Sequence, residues 1–330
     1  MIRTPLCDLF GIEAPVIQAS FGPWSAPGLA AAVSNAGGLG TFGAVLWQPE
    51  PLRQALERLR ALTDRPFAVN HSLRPFNEEL FALALEFRPR VISLAHGDPG
   101  DLPRRAHDAG ALFMHMVTTV RQAYQAAERG ADVIIAQGGE AAGFGGAVST
   151  MVLVPQVVDA VRPLPVVASG GIADGRGLAA ALALGAQGIN IGTRFLASAE
   201  ASVGDDWKLA ILAAESEDAV KAEFADEILP TAGESGYRTL PRVLRTPFVE
   251  EWNRRRHEIG AEAPRLRAEV LGALHEGRLH ELLPFTGQTA GMIREVLPAA
   301  EIMRRILAEA EVALGAVAGA VHKEASGKRR

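Results

Sequence analysis

Glycine-rich segments follow two consecutive short apolar runs in the middle of the chain. The first run leads into Ser169, Gly170 and Gly171, and the second leads into Gly192 and Thr193. Glycines let a backbone approach an anion without a Cβ in the way, and a helix that begins at such a turn adds partial positive charge. If both runs are strands of one parallel barrel, these segments predict a phosphate-binding site. The alternative is that both are ordinary tight turns.

Polar side chains at or just after the ends of predicted strands form a second group of candidates. They are Gln18, Ser20, Thr41, Asn70, His71, Thr118, Gln137 and Glu140. Such an amide-rich set with few titratable groups suits hydrogen bonding to a heteroaromatic ring such as a flavin better than hydrolysis, which uses paired carboxylates or a metal ion. Asn70 and Gln137 are the stronger candidates, because an amide at a strand end in an apolar chain needs a partner. For Ser20 and Thr118, a turn or cap role is the alternative.

These candidates need a scaffold that brings strand ends together, and the hydrophobic pattern predicts one. Short apolar runs alternate with helix-period segments up to about residue 200. The predicted strands end near Ala19, Thr41, Asn70, Leu94, Val117, Gln137, Ala168 and Ile191. Successive ends lie 20 to 31 residues apart, which fits one strand, one helix and two loops. Eight such units predict an α/β fold of the TIM (β/α)8 barrel type, and a doubly wound sheet with fewer strands is the competing interpretation.

The chain changes character after about Gly204. Residues 204–283 are helix-rich and strongly charged, and we interpret them as a helical insertion after the eighth strand that forms a substrate or lid domain. Residues 1–203 then form the barrel. Residues 284–330 return to it through a glycine-containing turn and an amphipathic helix from about Ile293 to Val317, which we expect to pack on the barrel.

The composition excludes several classes of function. The chain has 330 residues, of which 48% are hydrophobic, so it can bury a large core. Its formal net charge is −5, so nucleic acid is not an expected partner. The single cysteine, Cys7, excludes an intramolecular disulfide, favours a reducing compartment and is interpreted as a small buried residue. Without a secretory segment or an apolar run of about 20 residues, we expect a cytoplasmic protein that does not bind membranes.

No metal site or nucleotide-binding loop is expected. The eight histidines are scattered along the chain and form no H-E-x-x-H pattern. Among them, His115 is interpreted as a histidine of the core or of the barrel mouth, because it alternates with apolar residues along the fifth predicted strand. Residues 138–146, after the sixth strand, are glycine-rich but contain neither the Walker lysine nor a helix start. We interpret them as a mobile active-site loop.

Seven segments carry a resemblance to a known family. They are Pro15-Val16-Ile17-Gln18-Ala19, residues 29–40, Val69-Asn70, Ala136-Gln137-Gly138-Gly139-Glu140-Ala141-Ala142-Gly143, residues 168–177, Gly192-Thr193-Arg194-Phe195 and Gly287-Gln288-Thr289-Ala290-Gly291. As a set they resemble the nitronate monooxygenase family, formerly called 2-nitropropane dioxygenases. Much of the pattern is shared with the related FMN-dependent enoyl-acyl-carrier-protein reductases. The resemblance covers nearly all of residues 1–203 and the return segment, whereas the insertion matches weakly.

The resemblance implies a TIM barrel that binds FMN non-covalently in residues 1–203. It implies that Gly170, Gly171, Gly192 and Thr193 hold the phosphate, in agreement with the argument from the glycines alone. The cofactor-binding residues that we predict are Ala19, Ser20, Asn70, Gln137, Gly143, Ser169, Gly170, Gly171, Gly192, Thr193, Gly287 and Gln288.

Family members use FMN in one of two ways. Some oxidise an alkyl nitronate with dioxygen, and others pass electrons from NADH or NADPH to an enoyl thioester or a quinone. We expect the first activity, with the second as the alternative. The expected partner is a small-molecule substrate, and the family suggests a homodimer.

One departure from the family bears on catalysis. The loop after the sixth strand usually reads E-A-G-G-H, and its histidine is the proposed base or proton donor, whereas this chain has Phe144 there. Ser20-Phe21 likewise stands where a methionine is usual. A phenyl ring transfers no proton, so we expect activity on ionised nitronates rather than on neutral nitroalkanes. His71 is the candidate substitute, because an imidazole titrates near pH 6.5, and its alternative role is a loop histidine bonded to backbone.

Two hypotheses of other classes stay open. One is a flavin-free lyase or isomerase that holds a phosphorylated substrate at the same two loops. Such enzymes usually place a lysine or paired acids at strand ends, and none is visible in the sequence. The other is a non-catalytic protein that binds FMN or senses a ligand, which the phenylalanine at position 144 makes more plausible.

Overall fold

Eight parallel strands form a barrel in the described part of this computed structural model, which comprises residues 2–95, 97–229 and 240–327. The barrel strands are β1 (Val16–Gln18), β2 (Gly40–Gly43), β3 (Phe67–Ser72), β4 (Val91–Ala95), β5 (Leu112–Val117), β6 (Val133–Gln137), β8 (Val166–Ser169) and β9 (Gly188–Ile191). Three further strands, β7 (Gly143–Gly145), β10 (Ala219–Lys221) and β11 (Leu240–Leu244), form a separate small sheet. The barrel strands follow the order β1-β9-β8-β6-β5-β4-β3-β2, and a parallel bridge between Ile17 and Leu39 brings β1 beside β2. The predicted TIM barrel is therefore confirmed, and each predicted strand ends within two residues of the observed end.

Helices cover the outside of the barrel between successive strands. They are α2 (Pro27–Asn35), α3 (Pro49–Leu62), α4 (Glu78–Glu86), α5 (Leu102–Asp108), α6 (Val120–Glu128), α7 (Thr150–Val161) and α8 (Gly175–Ala183). In α3 the buried residues are Leu52, Ala55, Leu56 and Leu59, a spacing that places them on one side of a helix with 3.6 residues per turn. Burial of that side against the sheet fixes each helix on the barrel.

A short N-terminal helix contributes to the core inside the barrel. This helix, α1 (Pro5–Phe10), buries Leu6, Cys7 and Phe10 completely. They join a cluster with inward residues of the strands, which includes Ile17, Ala68, Val91, Met114, Val133 and Val167. A Cβ on Gly188 would lie 2.6 Å from Leu6 Cδ2, so only glycine lets the helix approach β9 this closely. Cys7 is thus a small buried residue, as predicted.

The insertion after β9 contains strands as well as helices. A short helix, α9 (Thr193–Leu196), directly follows β9, and the helices of the insertion are α10 (Asp205–Ala213), α11 (Ala225–Ile228), α12 (Pro247–Arg254), α13 (Ile259–His275) and α14 (Leu279–Leu282). Antiparallel strands β10 and β11 pair with each other, and β11 also pairs with β7 from the loop after β6. The insertion is mainly helical, as predicted, but it also contains these two short strands, which were not predicted. Strands of three to five residues among charged residues give too short a periodic signal to detect in the sequence.

The loop after β6 is tied to the insertion. β7 places Gly143 opposite Arg242, and Phe144 opposite Pro241. The segment predicted as a mobile loop thus contains a strand with a fixed partner. Pairing with a strand about a hundred residues later in the chain is a tertiary contact that local sequence does not encode.

The return segment completes the eighth unit of the barrel with a long helix. This helix, α15, spans Ala299–Gly327, so the predicted start near Ile293 was too early. Residues 288–292 form a 3-10 helix instead, as do residues 22–24, 216–218 and 256–258. Leu297 bridges to Ser198 as extended chain, and Pro298, which lacks an N–H, then precedes the helix. α15 packs on α8, where a Cβ at Gly175 would lie 2.2 Å from Ala310 N.

Candidate active site

A cavity of about 310 Å³ opens at the carboxyl ends of the barrel strands. It lies where parallel strands of a barrel bring their following loops together, beneath α13 and α14 of the insertion. Apart from Gln288, all the predicted cofactor-binding residues line it: Ala19, Ser20, Asn70, Gln137, Gly143, Ser169, Gly170, Gly171, Gly192, Thr193 and Gly287. The barrel therefore brings together residues that are more than 250 positions apart in the sequence.

The glycines after β8 adopt backbone conformations that favour glycine. Gly170 has φ +99° and Gly171 has φ +70°. A Cβ on Gly170 would lie 3.0 Å from Thr150 Oγ1 and 3.1 Å from the Gly138 carbonyl oxygen, so there is no room for a side chain. This geometry presents main chain rather than side chains to the cavity, as a phosphate group requires.

The return segment approaches the strand ends at the same place. Thr193 Oγ1, just after β9, accepts a hydrogen bond of 3.0 Å from the Gly287 N–H. A Cβ on Gly287 would come within 3.0 Å of the Ala142 nitrogen and the Glu140 carbonyl oxygen. The loops after β6 and β9 and the return segment thus meet around one glycine.

Amides line the inner part of the cavity. Gln137 is buried, and its Oε1 has no hydrogen-bond partner in the described part of the chain. Asn70 donates through Nδ2 to the Ser93 carbonyl oxygen (3.2 Å) and to Ser93 Oγ (3.3 Å), and its register partner across β3 and β4 is Ser93 itself. A buried amide oxygen without a partner indicates a ligand that donates a hydrogen bond.

Sequence reasoning missed two polar residues of this group. Asn190, on β9, donates through Nδ2 to Ser169 Oγ at 3.2 Å, and both it and Ser93 line the cavity. Each is a polar residue within an otherwise apolar strand, and the alternation of strand side chains could have indicated that they face the barrel interior. Together with the glycine loops, these groups can hold a phosphorylated heteroaromatic ligand through neutral hydrogen bonds.

The outer part of the cavity is aromatic and aliphatic. Trp24 packs 5.2 Å from Trp207 and 5.9 Å from Phe285, and Phe144 packs 5.9 Å from Phe285, measured between ring centroids. Aliphatic side chains of the insertion continue this surface: Leu229, Val270, Leu271, Leu274 and Leu279. This apolar chamber has room for a substantial hydrophobic group beside the ring site.

Glu140 lines the cavity but its carboxylate is engaged elsewhere. It accepts hydrogen bonds from the Thr150 N–H (3.0 Å to both oxygens) and from Thr150 Oγ1 (2.9 Å) at the start of α7. A carboxylate at a helix N-terminus is also favoured by the helix dipole. Glu140 therefore holds the loop after β6 on α7.

The structure places His71 away from the cavity. Side chains alternate along β3, so Asn70 and Ser72 line the cavity while the His71 ring lies 5.4 Å from the ring of Phe81 on α4. Burial lowers the pKa of His71 to about 4, so the ring is neutral at pH 7. The expectation that His71 could face the flavin is thus not met.

His115 is a core residue, as predicted. It is buried in β5, and its Nε2 lies 3.0 Å from the Gly97 carbonyl oxygen. Burial lowers its pKa to about 4, although the Gly97 carbonyl and Asp98 oppose the shift. Thr118, another sequence candidate, donates its N–H to Gln122 Oε1 (2.7 Å) at the start of α6, which fits the cap role.

Gln288 differs from the other predicted cofactor residues. Its N–H donates to the Glu140 carbonyl oxygen at 3.0 Å, whereas its side chain lines a second cavity on the other side of the loop after β6. The main chain of this turn therefore supports the site, and the Gln288 side chain lies outside it.

Comparisons with known proteins agree with this geometry. The sequence model of the nitronate monooxygenase family matches residues 3–80 and 74–309. The chain belongs to the nitronate monooxygenase family. A nitronate monooxygenase from Paraburkholderia phytofirmans is 31% identical, over 92% of this chain and 94% of that protein.

Two further proteins that are similar to this nitronate monooxygenase family member carry names other than nitronate monooxygenase. The (3aS,4S,5R,7aS)-5-hydroxy-7a-methyl-1-oxo-octahydro-1H-indene-4-carboxyl-CoA dehydrogenase of Mycobacterium tuberculosis is 38% identical over 76% of this chain and 68% of that protein. The structure of FabK from Thermotoga maritima has 37% sequence identity and a TM-score of 0.87, covering 97% of this chain and 99% of that chain. Family membership makes the protein an oxidoreductase that acts on a small-molecule substrate, with the fold of flavin enzymes. In the described part of the chain, no helix is both long and apolar enough to cross a membrane.

Proposed function

We propose that the protein is an FMN-dependent oxidoreductase that oxidises alkyl nitronates with dioxygen. The observation that carries the proposal is the cavity itself, in which a glycine cradle after β8 and β9 lies beside a buried amide with an unpartnered oxygen. The family relationship adds support, since nitronate monooxygenase is the name of the family.

The residues fit FMN in two separate ways. Gly170, Gly171, Gly192 and Thr193 would hold the phosphate through main-chain N–H groups and a hydroxyl. Gln137 and Asn70 would bind the polar edge of the ring system, with Gln137 Oε1 accepting from a ring N–H. When bound, FMN supplies a reversible two-electron acceptor at this place.

Oxidation of an already ionised nitronate requires no basic side chain. Phe144 carries no transferable proton, and the Glu140 carboxylate is held by Thr150. Of the described residues that line the cavity, only Arg74 and Glu140 carry ionisable side chains. A nitronate arrives already ionised, so these residues need only bind it, orient it and exclude water with the aromatic wall of Trp24, Trp207 and Phe285.

Flavin binding and reduction test the proposal directly. Protein purified from riboflavin-sufficient cells should carry FMN, and anaerobic addition of an alkyl nitronate should bleach its visible spectrum without any nicotinamide. Absence of a flavin spectrum, together with failure to bind added FMN, would show that the proposal is wrong. Lack of bleaching by nitronates in a flavin-containing protein would contradict the substrate but not the cofactor.

One observation favours a second function, an NADH- or NADPH-dependent reductase of an enoyl thioester or a quinone. Aliphatic side chains of α13 and α14 line the outer part of the cavity, and a relative at 38% identity is named for an acyl-CoA substrate. Rapid anaerobic bleaching by NADH or NADPH, followed by reoxidation with an enoyl-CoA or a quinone, would favour this reductase. Bleaching by nitronate alone favours the monooxygenase.

Two remaining parts of the proposal concern the molecule in the cell. We expect a homodimer, which sedimentation velocity would distinguish from a monomer of 34.9 kDa. We also expect a cytoplasmic location, which fractionation of the source cells would test.

A further inference from the structure

A second cavity, of about 420 Å³, lies on the opposite side of the loop after β6 from the main cavity. It is lined by Gly139, Glu140, Gly145, Gly146, Ala147, Ser149, Lys221, Leu240, Arg242 and Gln288. Only Glu140 lines both cavities. The loop therefore separates a ligand site on one side from an unassigned space on the other.

Two cations face each other across the strands that line this space. Lys221 on β10 and Arg242 on β11 are direct register partners. Lys221 Nζ donates to the carbonyl oxygens of Gly145 (3.1 Å) and Leu240 (2.9 Å). Arg242 donates through Nε (3.0 Å) and Nη2 (2.8 Å) to the Gly139 carbonyl oxygen. Main-chain carbonyls thus fix both side chains in place.

Neither cation forms an ion pair among the described residues, although the Glu140 carboxylate, which lines the same cavity, opposes the lowering of the Arg242 pKa by burial. Their nitrogen atoms contact carbonyl oxygens alone, and no carboxylate lies within 4.0 Å of either group there. Both side chains are partly buried, and like charges at neighbouring positions repel each other. Burial, followed by the effect of Arg242, accordingly lowers the pKa of Lys221 to about 8. Glu140 offsets part of the charge of Arg242, and a bound anion would offset the rest.

Neutral donors complete the surroundings. Ser149, the N-cap residue of α7, makes no capping hydrogen bond with its side chain and is exposed to the cavity. The amide of Gln288 lines the same space. Glycines at positions 145 and 146 leave the main chain open to a ligand. The one carboxylate of this lining, Glu140, accepts hydrogen bonds from Thr150. The two cations, with a hydroxyl and an amide, form a donor set that suits the several acceptor oxygens of a phosphate group.

We propose that Lys221 and Arg242 form a binding site for a phosphate group in this second cavity. The group is either inorganic phosphate or a phosphate of a nucleotide cosubstrate, such as the adenosine 3′,5′-bisphosphate end of coenzyme A. The site does not depend on FMN, because Lys221 and Arg242 do not line the main cavity. A phosphate bound there would contact the loop after β6 from the second cavity, whereas Phe144 of the same loop lines the main cavity.

Calorimetric titration of the flavin-loaded protein tests the site with two probes, inorganic phosphate and adenosine 3′,5′-bisphosphate. We expect at least one probe to bind, and Lys221→Met to weaken that binding about tenfold or more, because a charge-assisted hydrogen bond is lost. Lys221→Arg keeps the charge and should retain the binding. The matched control is Arg245→Met, which removes an exposed cation just beyond β11 that pairs with Asp218 and Glu250. It should change affinity less than about twofold.

The outcomes distinguish inorganic phosphate from a nucleotide phosphate as the ligand, and they also show whether the proposal fails. Tighter binding of the bisphosphate than of phosphate assigns the site to a nucleotide, whereas equal binding assigns it to free phosphate. Absence of binding by both probes at millimolar concentration, or equal affinity of Lys221→Met and wild type, would overturn the proposal. Retained flavin in each variant shows that the loop is folded. If the protein binds no FMN, the comparison of Lys221→Met with Arg245→Met still decides this site.

Discussion

Phe144 is the residue of the cavity wall that bears most directly on the proposed reaction. Its ring lies on the cavity wall against Phe285, at the position where the resemblance to the family leads one to expect a histidine. The Glu140 carboxylate, also on the cavity wall, is held by Thr150, and no histidine lines the cavity among the described residues. Under the proposed function, these described residues bind the substrate and do not abstract a proton from it.

Phe144→His tests this interpretation. An imidazole at this place can act as a base, so we expect kcat/KM for a neutral nitroalkane to rise by at least about tenfold, with a much smaller change for the matching nitronate. Steady-state oxygen consumption measures both. Phe144→Leu is the control, because it changes the packing against Phe285 without adding a base. An equal effect of both variants on the nitroalkane would contradict the proposed role.

Gly170→Ala tests the proposed phosphate cradle. The added Cβ would lie 3.0 Å from Thr150 Oγ1 at a residue with φ +99°, so the loop must shift and FMN affinity should fall at least about tenfold. Fluorescence titration of apoprotein with FMN measures this. Gly100→Ala is the matched control, since Gly100 has φ +57° but nothing within 4 Å of its Cβ position, and it lies outside the cavity. A loss of affinity in both variants would point to general destabilisation instead.

At the scale of elements, the insertion supplies the outer, apolar part of the cavity. α13 and α14 place leucines and a valine over the barrel opening, while β11 anchors the loop after β6 through β7. The barrel thus holds the proposed cofactor, and the insertion shapes the space in front of it. Differences in substrate among relatives should accordingly be sought in residues 204–283.

Leu274→Trp on α13 should narrow the apolar chamber without touching the proposed cofactor site. We expect KM for a long-chain substrate to rise at least about fivefold relative to a short-chain homologue, because a few buried methylenes are worth that much binding energy. Kinetics with a homologous series of nitronates measures the change. Ala268→Trp, on an exposed position of the same helix, is the control. Equal KM changes for both chain lengths would argue against a role of α13 in substrate selection.

At the scale of the whole molecule, two buried neutral histidines link stability to pH. His71 and His115 are each nearly inaccessible, and burial lowers the pKa of both to about 4. The unfolded chain binds protons on these rings below about pH 6.5, whereas the folded protein does so only below about pH 4. Their contribution to stability is therefore complete above pH 6.5 and is lost as the pH falls from 6.5 to 4.

His71→Gln should remove part of this acid sensitivity. Between pH 8 and pH 5, the free energy of unfolding of the wild type should fall by about 2 kcal/mol more than that of the variant. Urea denaturation at both pH values measures the difference. His275→Gln, at an exposed position on α13, should behave as wild type. The same pH dependence in wild type and His71→Gln would show that His71 does not contribute in this way.

The sequence by itself determined the barrel and most of the cavity wall. Eight apolar runs at regular spacing predict strands with helices between them, and chain geometry then forces parallel strands into a barrel whose loops share one end. Residues directly after a strand, such as Gly170 and Gly192, are therefore placed by local signals alone. This is why the cavity contains so many of the residues predicted from strand ends.

Tertiary structure decided which way single side chains point and what lies beyond the barrel. His71 and Asn70 are neighbours in sequence, but a one-residue step along β3 sends one toward α4 and the other into the cavity. The pairing of β7 with β11, and with it the cavity that holds Lys221 beside Arg242, joins segments about a hundred residues apart. Such contacts depend on packing between distant elements, and short strands of mixed composition leave no periodic signal from which to predict them.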